Sequence, residues 1–237
     1  MDGTTKEAIA QRVRAVLAKI ERAAARAGRS PASIRLVAAT KSVSVQRIRE
    51  AVEAGVRILG ESRFQEALPK IEALGARDGV SWHFIGRLQR RKVRSTVGLF
   101  AMIHSVDSLD LAMEIDRRAA AAGVRQAVLL EVNVGGEPSK AGFTPSGVAE
   151  VVQGLDELTH LEVKGLMAIP PPAEQPEAAR PYFREVRQLA HALAGQGLQR
   201  VRMDELSMGM SQDYEVAVEE GATLVRIGTA IFGMRPV

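Results

Sequence analysis

The chain has 237 residues, of which 46% are hydrophobic, 25% charged and 4% aromatic, with a formal net charge of +4 and no cysteine. The missing cysteine excludes disulfides, thiolate catalysis and thiolate-bound metals, and the ordinary balance of apolar to charged residues argues against disorder. A pI of about 9.7 reflects arginine outnumbering lysine among the 32 basic residues, so it implies only a weak general attraction to anions.

With so few aromatics the core must be filled by Ala, Val, Leu and Ile, which suits a sheet wrapped by helices better than a β-sandwich. The first residues carry neither the basic start nor the apolar stretch of a secretion signal, and no run approaches a membrane span. A soluble, cytoplasmic protein is expected. Residues 4–27 place Ile9, Val13, Val16, Leu17 and Ile20 at helical spacing before Gly28, predicting an N-terminal packing helix. A strand over 35–40, a helix from Val45 that stops at Gly55, and a strand over 56–60 follow. The alternation then runs through helix 65–74, strand 82–85, a basic helical segment 89–96, strand 100–106 and helix 108–122. Strand 126–134, helix 146–155, strand 161–169, helix 177–194, strand 205–207, helix 212–220 and strand 223–227 complete it.

Eight strands alternating with helices, with no linker-like break, predict one domain over 1–237, a (β/α)8 TIM-type barrel with an additional N-terminal helix. An open doubly wound sheet is the competitor, but no glycine-rich dinucleotide fingerprint follows the opening strand. In a barrel, the residues just past each strand converge on one mouth. Here they include Lys41, Gly60-Glu61-Ser62, Asn133, the run from Ser207 to Ser211 and the run from Arg226 to Thr229.

The last two loops of such barrels commonly bind phosphate through backbone N–H groups and hydroxyls. Ser207-Met208-Gly209-Met210-Ser211 and Gly228-Thr229 have that character, and Lys41 stands on the strand that neighbours the eighth. A lysine beside a phosphate cradle suggests a carbonyl-bearing phosphate ester held as a Schiff base, with pyridoxal 5'-phosphate the obvious candidate. Partial desolvation and the nearby cationic Arg226 would favour the neutral amine this chemistry needs. Arg226 could serve the phosphate or face the pyridine nitrogen.

These residues belong to longer runs: Leu36-Val37-Ala38-Ala39-Thr40-Lys41, Gly60-Glu61 with Gln65-Glu66, His83-Phe84-Ile85-Gly86, Gly165-Leu166-Met167-Ala168, Ser207 to Ser211 with Asp213, and Val225 to Gly233. In them the chain resembles the pyridoxal-phosphate homeostasis proteins, single-domain barrels of fold type III related to the N-terminal domain of alanine racemase. The resemblance implies that Lys41 is the Schiff-base lysine, that the Ser207, Gly209, Met210, Ser211, Gly228 and Thr229 loops hold the phosphate, and that Arg226 lies close to the cofactor. It implies buffering or delivery of the cofactor to apo-enzymes, without robust turnover. Ser62 stands where relatives commonly carry asparagine, Arg87 where they carry proline and Arg91 where they carry asparagine; the two arginines make the mouth more basic.

Other readings are weaker. A racemase using the same lysine would need a second acid/base, and the only tyrosines, Tyr182 and Tyr214, fall on predicted helices. Arg87, Arg90, Arg91, Lys92 and Arg94 form a basic cluster with no interleaved aromatic, which fits a solvated face better than a nucleic-acid platform. His83, within an apolar strand, reads as a histidine satisfied by the core. Asn133, Glu137 and Lys140 line a mouth loop without metal-ligand spacing.

Overall fold

The computed structural model of the chain describes residues 3–75 and 79–234. Short aliphatic runs, each ended by a polar residue or glycine, form eight strands: β1 (Arg35–Ala39), β2 (Ile58–Glu61), β3 (Ser81–Phe84), β4 (Met102–Val106), β5 (Gln126–Val132), β6 (Leu161–Ala168), β7 (Val201–Ser207) and β8 (Leu224–Ile227). All pairings are parallel, and β1 pairs with β8 through Leu36 with Val225 and Ala38 with Ile227, closing the barrel in sequence order.

Strand alternation splits the core in two. Val37, Ile58, Met102, Leu129, Met167 and Leu224 fill the inside of the barrel. Their neighbours Leu36, Ala38, Leu59, Ile103, Leu130, Leu166 and Val225 face the helices.

The helical coat comprises α1 (Gly3–Arg26), α2 (Val45–Glu53), α3 (Phe64–Leu74), α4 (Val93–Thr96), α5 (Leu109–Ala122), α6 (Pro145–Asp156), α7 (Arg180–Ala194), α8 (Tyr214–Glu219) and α9 (Thr229–Phe232). At the β8–β1 closure the crossover helices are short, with α8 six residues long and α9 four. The 24-residue α1 supplies the missing cover there, packing on α2, α8 and α9 with Ile9, Val13, Val16, Ile20, Ala23 and Ala24 all buried. Each branched side chain so buried contributes roughly 1.5–3 kcal/mol. Ion pairs from Lys19 to Glu215 at 3.2 Å and Arg26 to Glu219 at 2.7 Å fix its register more than its stability.

The predicted elements are all present with shifted bounds: β2 opens at 58 rather than 56, β4 at 102 rather than 100 and α7 at 180 rather than 177, and β5 ends at 132 rather than 134. The basic segment 89–96 is a tight turn over Arg90–Lys92 followed by the four-residue α4. The last helix before β8 begins at Tyr214 rather than 212. Strand β7 begins at Val201, ahead of the predicted 205, because its first half alternates buried Val201 with exposed Arg202 and Asp204 at the barrel's solvent end. Tyr182 and Tyr214 lie on helices α7 and α8 as expected.

Between β5, β6 and β7 the register shifts at Gly165, whose φ is +154°. A Cβ there would lie 1.8 Å from the Glu205 carbonyl oxygen. Gly165→Ala should therefore destabilise the fold by at least ~3 kcal/mol in urea unfolding. Gly154→Ala, on exposed α6 with nothing within 4 Å, should stabilise it by about 0.5–1 kcal/mol.

Candidate functional site

The C-terminal ends of the strands open onto a cavity of about 560 Å³. Seven of the sequence-selected residues, Lys41, Ser62, Met210, Ser211, Arg226, Gly228 and Thr229, line it together.

Lys41 follows β1 in a turn that is braced from below. The buried Thr40 hydroxyl donates to Glu61 Oε1 at 2.6 Å, and Lys70 Nζ donates to the same oxygen at 2.6 Å and to the Thr40 carbonyl at 2.8 Å. Val43 N–H closes the turn on the Thr40 carbonyl at 2.9 Å. Ser42 takes a left-handed φ of 61°, and its N–H donates to Glu66 Oε2 at 3.3 Å. Lys41 itself is exposed, not the partly desolvated group suggested by the sequence.

The two glycine-bearing loops meet beside it. Ala230 N–H donates to Ser211 Oγ at 3.2 Å, which ties the β7 loop to the β8 loop. Gly228 passes so close to β1 that a Cβ would sit 3.4 Å from Ala39. Asp213 folds the first loop by accepting from Met210 N–H at 2.6 Å, and burial raises its carboxyl pKa against the opposing pull of that bond and of Arg226. Gly209 does not line the cavity. Its φ is +89°, a Cβ would meet Ala217 at 2.5 Å, and its carbonyl accepts from Arg226 N–H at 3.0 Å. Its part is to let the loop lie flat across α8 and β8.

Arg226 forms the floor. Its Nη1 donates to the Ser207 carbonyl and hydroxyl, each at 2.6 Å, and its Nη2 to the Ala168 carbonyl at 3.0 Å. Burial lowers its pKa to about 10, against the charges of Glu131 and Asp213, so it stays protonated at neutral pH. Ser207 lies beneath the cavity rather than on its lining, fully buried, with its hydroxyl also 2.9 Å from His104 Nδ1. Further in, His104 Nε2 lies 2.9 Å from His83 Nδ1, so His83 is satisfied by the core as expected. Sequence reasoning passed over His104 and Glu131. Both stand at inward positions of strands that are mostly apolar, at the parity of Met102 and Leu129, and that parity was the available signal. Glu131 has its pKa raised by burial and by Asp107, with Arg226 and Arg87 opposing.

Of the basic cluster, Arg87, Arg91 and Lys92, joined by Arg63, line an adjoining hollow of about 480 Å³ that shares Ser62 with the main cavity, and Arg90 and Arg94 do not. The loop after β5 is internally tied, with Asn133 Nδ2 donating to the Glu137 carbonyl at 2.8 Å and Lys140 paired to Glu137 at 2.5 Å. Among the described residues no group of histidines and carboxylates is placed to hold a metal ion, and no helix is long and apolar enough to cross a membrane.

A family model described as alanine racemase, N-terminal domain, matches residues 12–236. The chain is 48% identical over 225 residues to the pyridoxal phosphate homeostasis protein of Aquifex aeolicus, spanning 95% of this chain and 97% of that one. A solved structure of an unknown protein from Bifidobacterium adolescentis superposes with a TM-score of 0.92 at 39% identity, covering 98% of this chain and 97% of that one. The structure of PipY from Synechococcus elongatus with PLP bound gives a TM-score of 0.79 at 38% identity, covering 91% of this chain and all of that one.

The buried histidines make the fold acid-labile. Burial, aided by the charge of Arg35, lowers the pKa of His83 to about 4, and His104 is lowered in the same direction. Between that value and the ordinary 6.5 the unfolded chain binds the proton and the folded chain does not, so stability is lost as pH falls through this window. His83 alone should remove about 2 kcal/mol between pH 7 and pH 5, read by denaturant unfolding. His83→Gln should flatten that slope.

Proposed function

The chain belongs to the pyridoxal phosphate homeostasis proteins of the alanine racemase N-terminal-domain family, and from that membership we propose that it holds pyridoxal 5'-phosphate at the barrel mouth as a Schiff base on Lys41. We propose further that it buffers the cofactor in the cytoplasm or delivers it to apo-enzymes. The observation that carries the reading is the convergence, on one cavity, of a lysine from β1 with hydroxyl and glycine loops and a buried arginine from β8.

The donor set fits the group. Ser211 and Thr229 offer hydroxyls to a phosphate, and Gly228 lets backbone approach it closely. A cavity of about 560 Å³ is in the range of small-cofactor sites. When bound, the cofactor would supply an aldehyde carbon open to a neutral amine such as that of Lys41.

Arg226 is assigned to the ring nitrogen rather than the phosphate. Its guanidinium is anchored on the floor by Ser207 and Ala168, while the phosphate-type loops stand at the rim. A group that stays protonated at neutral pH can only donate, so it would hold a ring nitrogen unprotonated and weaken the ring as an electron sink. That favours holding over turnover. Ile169 and Met210, each 37% exposed, leave an apolar rim at the cavity on which a recipient protein can settle during hand-over.

Purified protein incubated with the cofactor should show the visible band of a protein-bound imine, and Lys41→Ala should lose it; an unchanged mutant spectrum rejects the lysine assignment. Thr229→Ala should weaken retention roughly tenfold, the worth of one hydrogen bond to a charged group, measured by equilibrium dialysis. For delivery, loaded protein is mixed with an apo-enzyme in the presence of a scavenger of free cofactor. Reactivation faster than spontaneous release supports transfer, and reactivation limited by release rejects it.

A further inference from the structure

Inside the barrel below the mouth, four buried polar residues from four strands are joined end to end. Arg226 on β8 meets the Ser207 hydroxyl of β7 at 2.6 Å, that hydroxyl lies 2.9 Å from His104 Nδ1 on β4, and His104 Nε2 lies 2.9 Å from His83 Nδ1 on β3. Arg226 is 6% exposed, Ser207 and His104 0%, and His83 4%. Many other inward positions carry the aliphatic side chains expected of a packed barrel, among them Val37, Ile58, Met102, Leu129, Met167 and Leu224. Aliphatic residues at 83, 104 and 207 would fill the same space with no polar group to satisfy, so the departure calls for a reason.

We propose that Ser207, His104 and His83 are positioning residues, a one-way hydrogen-bond chain that orients the Arg226 guanidinium toward the cofactor ring. The proposal rests on the reading of the mouth as a pyridoxal phosphate site. Donor chemistry fixes the direction. A guanidinium can only donate, so Ser207 Oγ accepts from Arg226. The Ser207 hydroxyl then has its single proton to place, and among the described contacts of that oxygen the acceptor is His104 Nδ1. His104 therefore carries its proton on Nε2 and donates to His83 Nδ1, which leaves the His83 proton on Nε2. The opposite polarity would strand the serine proton in a fully buried place, at a cost of about 1–3 kcal/mol.

The charges around the chain agree with this order. Burial keeps both rings neutral, and Arg226 and Arg35 add to the penalty for a proton on His104. Of the carboxylates near the chain, Glu205 pairs with Arg35, while Glu131 and Asp213 act on Arg226 itself through their charge. On the guanidinium, the bonds to Ser207 occupy both Nη1 protons and the bond to Ala168 one on Nη2. Recognition of a ring nitrogen falls to the remaining edge, Nε–H and the second Nη2 proton. Removing the chain would leave the Nη1 end held by the Ser207 carbonyl alone.

Two measurements test this. In wild-type apo-protein at pH 7, nitrogen–proton correlation spectra of the histidine rings should show His104 and His83 as neutral Nε2–H tautomers; a proton on Nδ1 of His104 overturns the proposal. In loaded protein, His104→Leu should shift the visible band and release cofactor about tenfold faster, while His104→Asn, whose Oδ1 still accepts from Ser207, should stay within about twofold of wild type. Equal spectra and release rates for Leu, Asn and wild type overturn it. If His104→Leu does not fold, the tautomer measurement decides alone. Failure of wild type to take up cofactor would reject the site reading instead, and the ring spectra would still decide the chain's direction.

Discussion

Parallel pairing of Leu36 with Val225 and of Ala38 with Ile227 closes the barrel, and the mouth takes its arrangement from that closure. Residues nearly 190 apart in the chain become neighbours, so the turn at Lys41 opens beside the loop at Gly228. Without the β1–β8 ladder, a lysine and a glycine-hydroxyl loop would be two unrelated surface features. The ladder itself relies on α1, because α8 and α9 are too short to cover its outer face. The N-terminal helix therefore belongs to the site's support although it touches none of the cavity.

The aliphatic side chains that fill the barrel interior are interrupted by four buried polar ones, Arg226, Ser207, His104 and His83. Buried polar groups are tolerable only when each finds a partner, and here each partner is supplied by a different strand. A shift in any one of the four contributing strands would unpair its neighbours. Gly165 keeps two strands of the barrel, β6 and β7, in the required register by admitting the Glu205 carbonyl where a side chain would stand.

Much of this was legible in the sequence, for physical reasons that also explain what was not. Strand-ending residues such as Lys41 and Gly228 announce themselves because an apolar run stops abruptly, and the barrel's topology turns those endings into one mouth. Depth was harder to read. Ser207 and Ser211 look alike as loop hydroxyls, yet Ser207 is the last residue of β7 and faces inward, while Ser211 reaches the cavity. The start of β7 was hidden by the charges of Arg202 and Asp204, which a strand can carry where it leaves the core. His104 and Glu131 were passed over because two polar residues among five or seven leave a strand apolar in character.

The brace of Thr40, Glu61 and Lys70 beneath the lysine turn has a consequence for exchange. A loop that had to order itself around each arriving ligand would lose backbone freedom on every binding event, on the order of 1–2 kcal/mol per residue. Here that loss is taken during folding, because buried side chains hold the Thr40 end of the turn. On the proposed reading, a ligand would meet a turn whose Thr40 end is already set. If the mouth holds cofactor as proposed, loading and unloading would not require that end of the turn to refold, which is the mechanical character a reservoir needs.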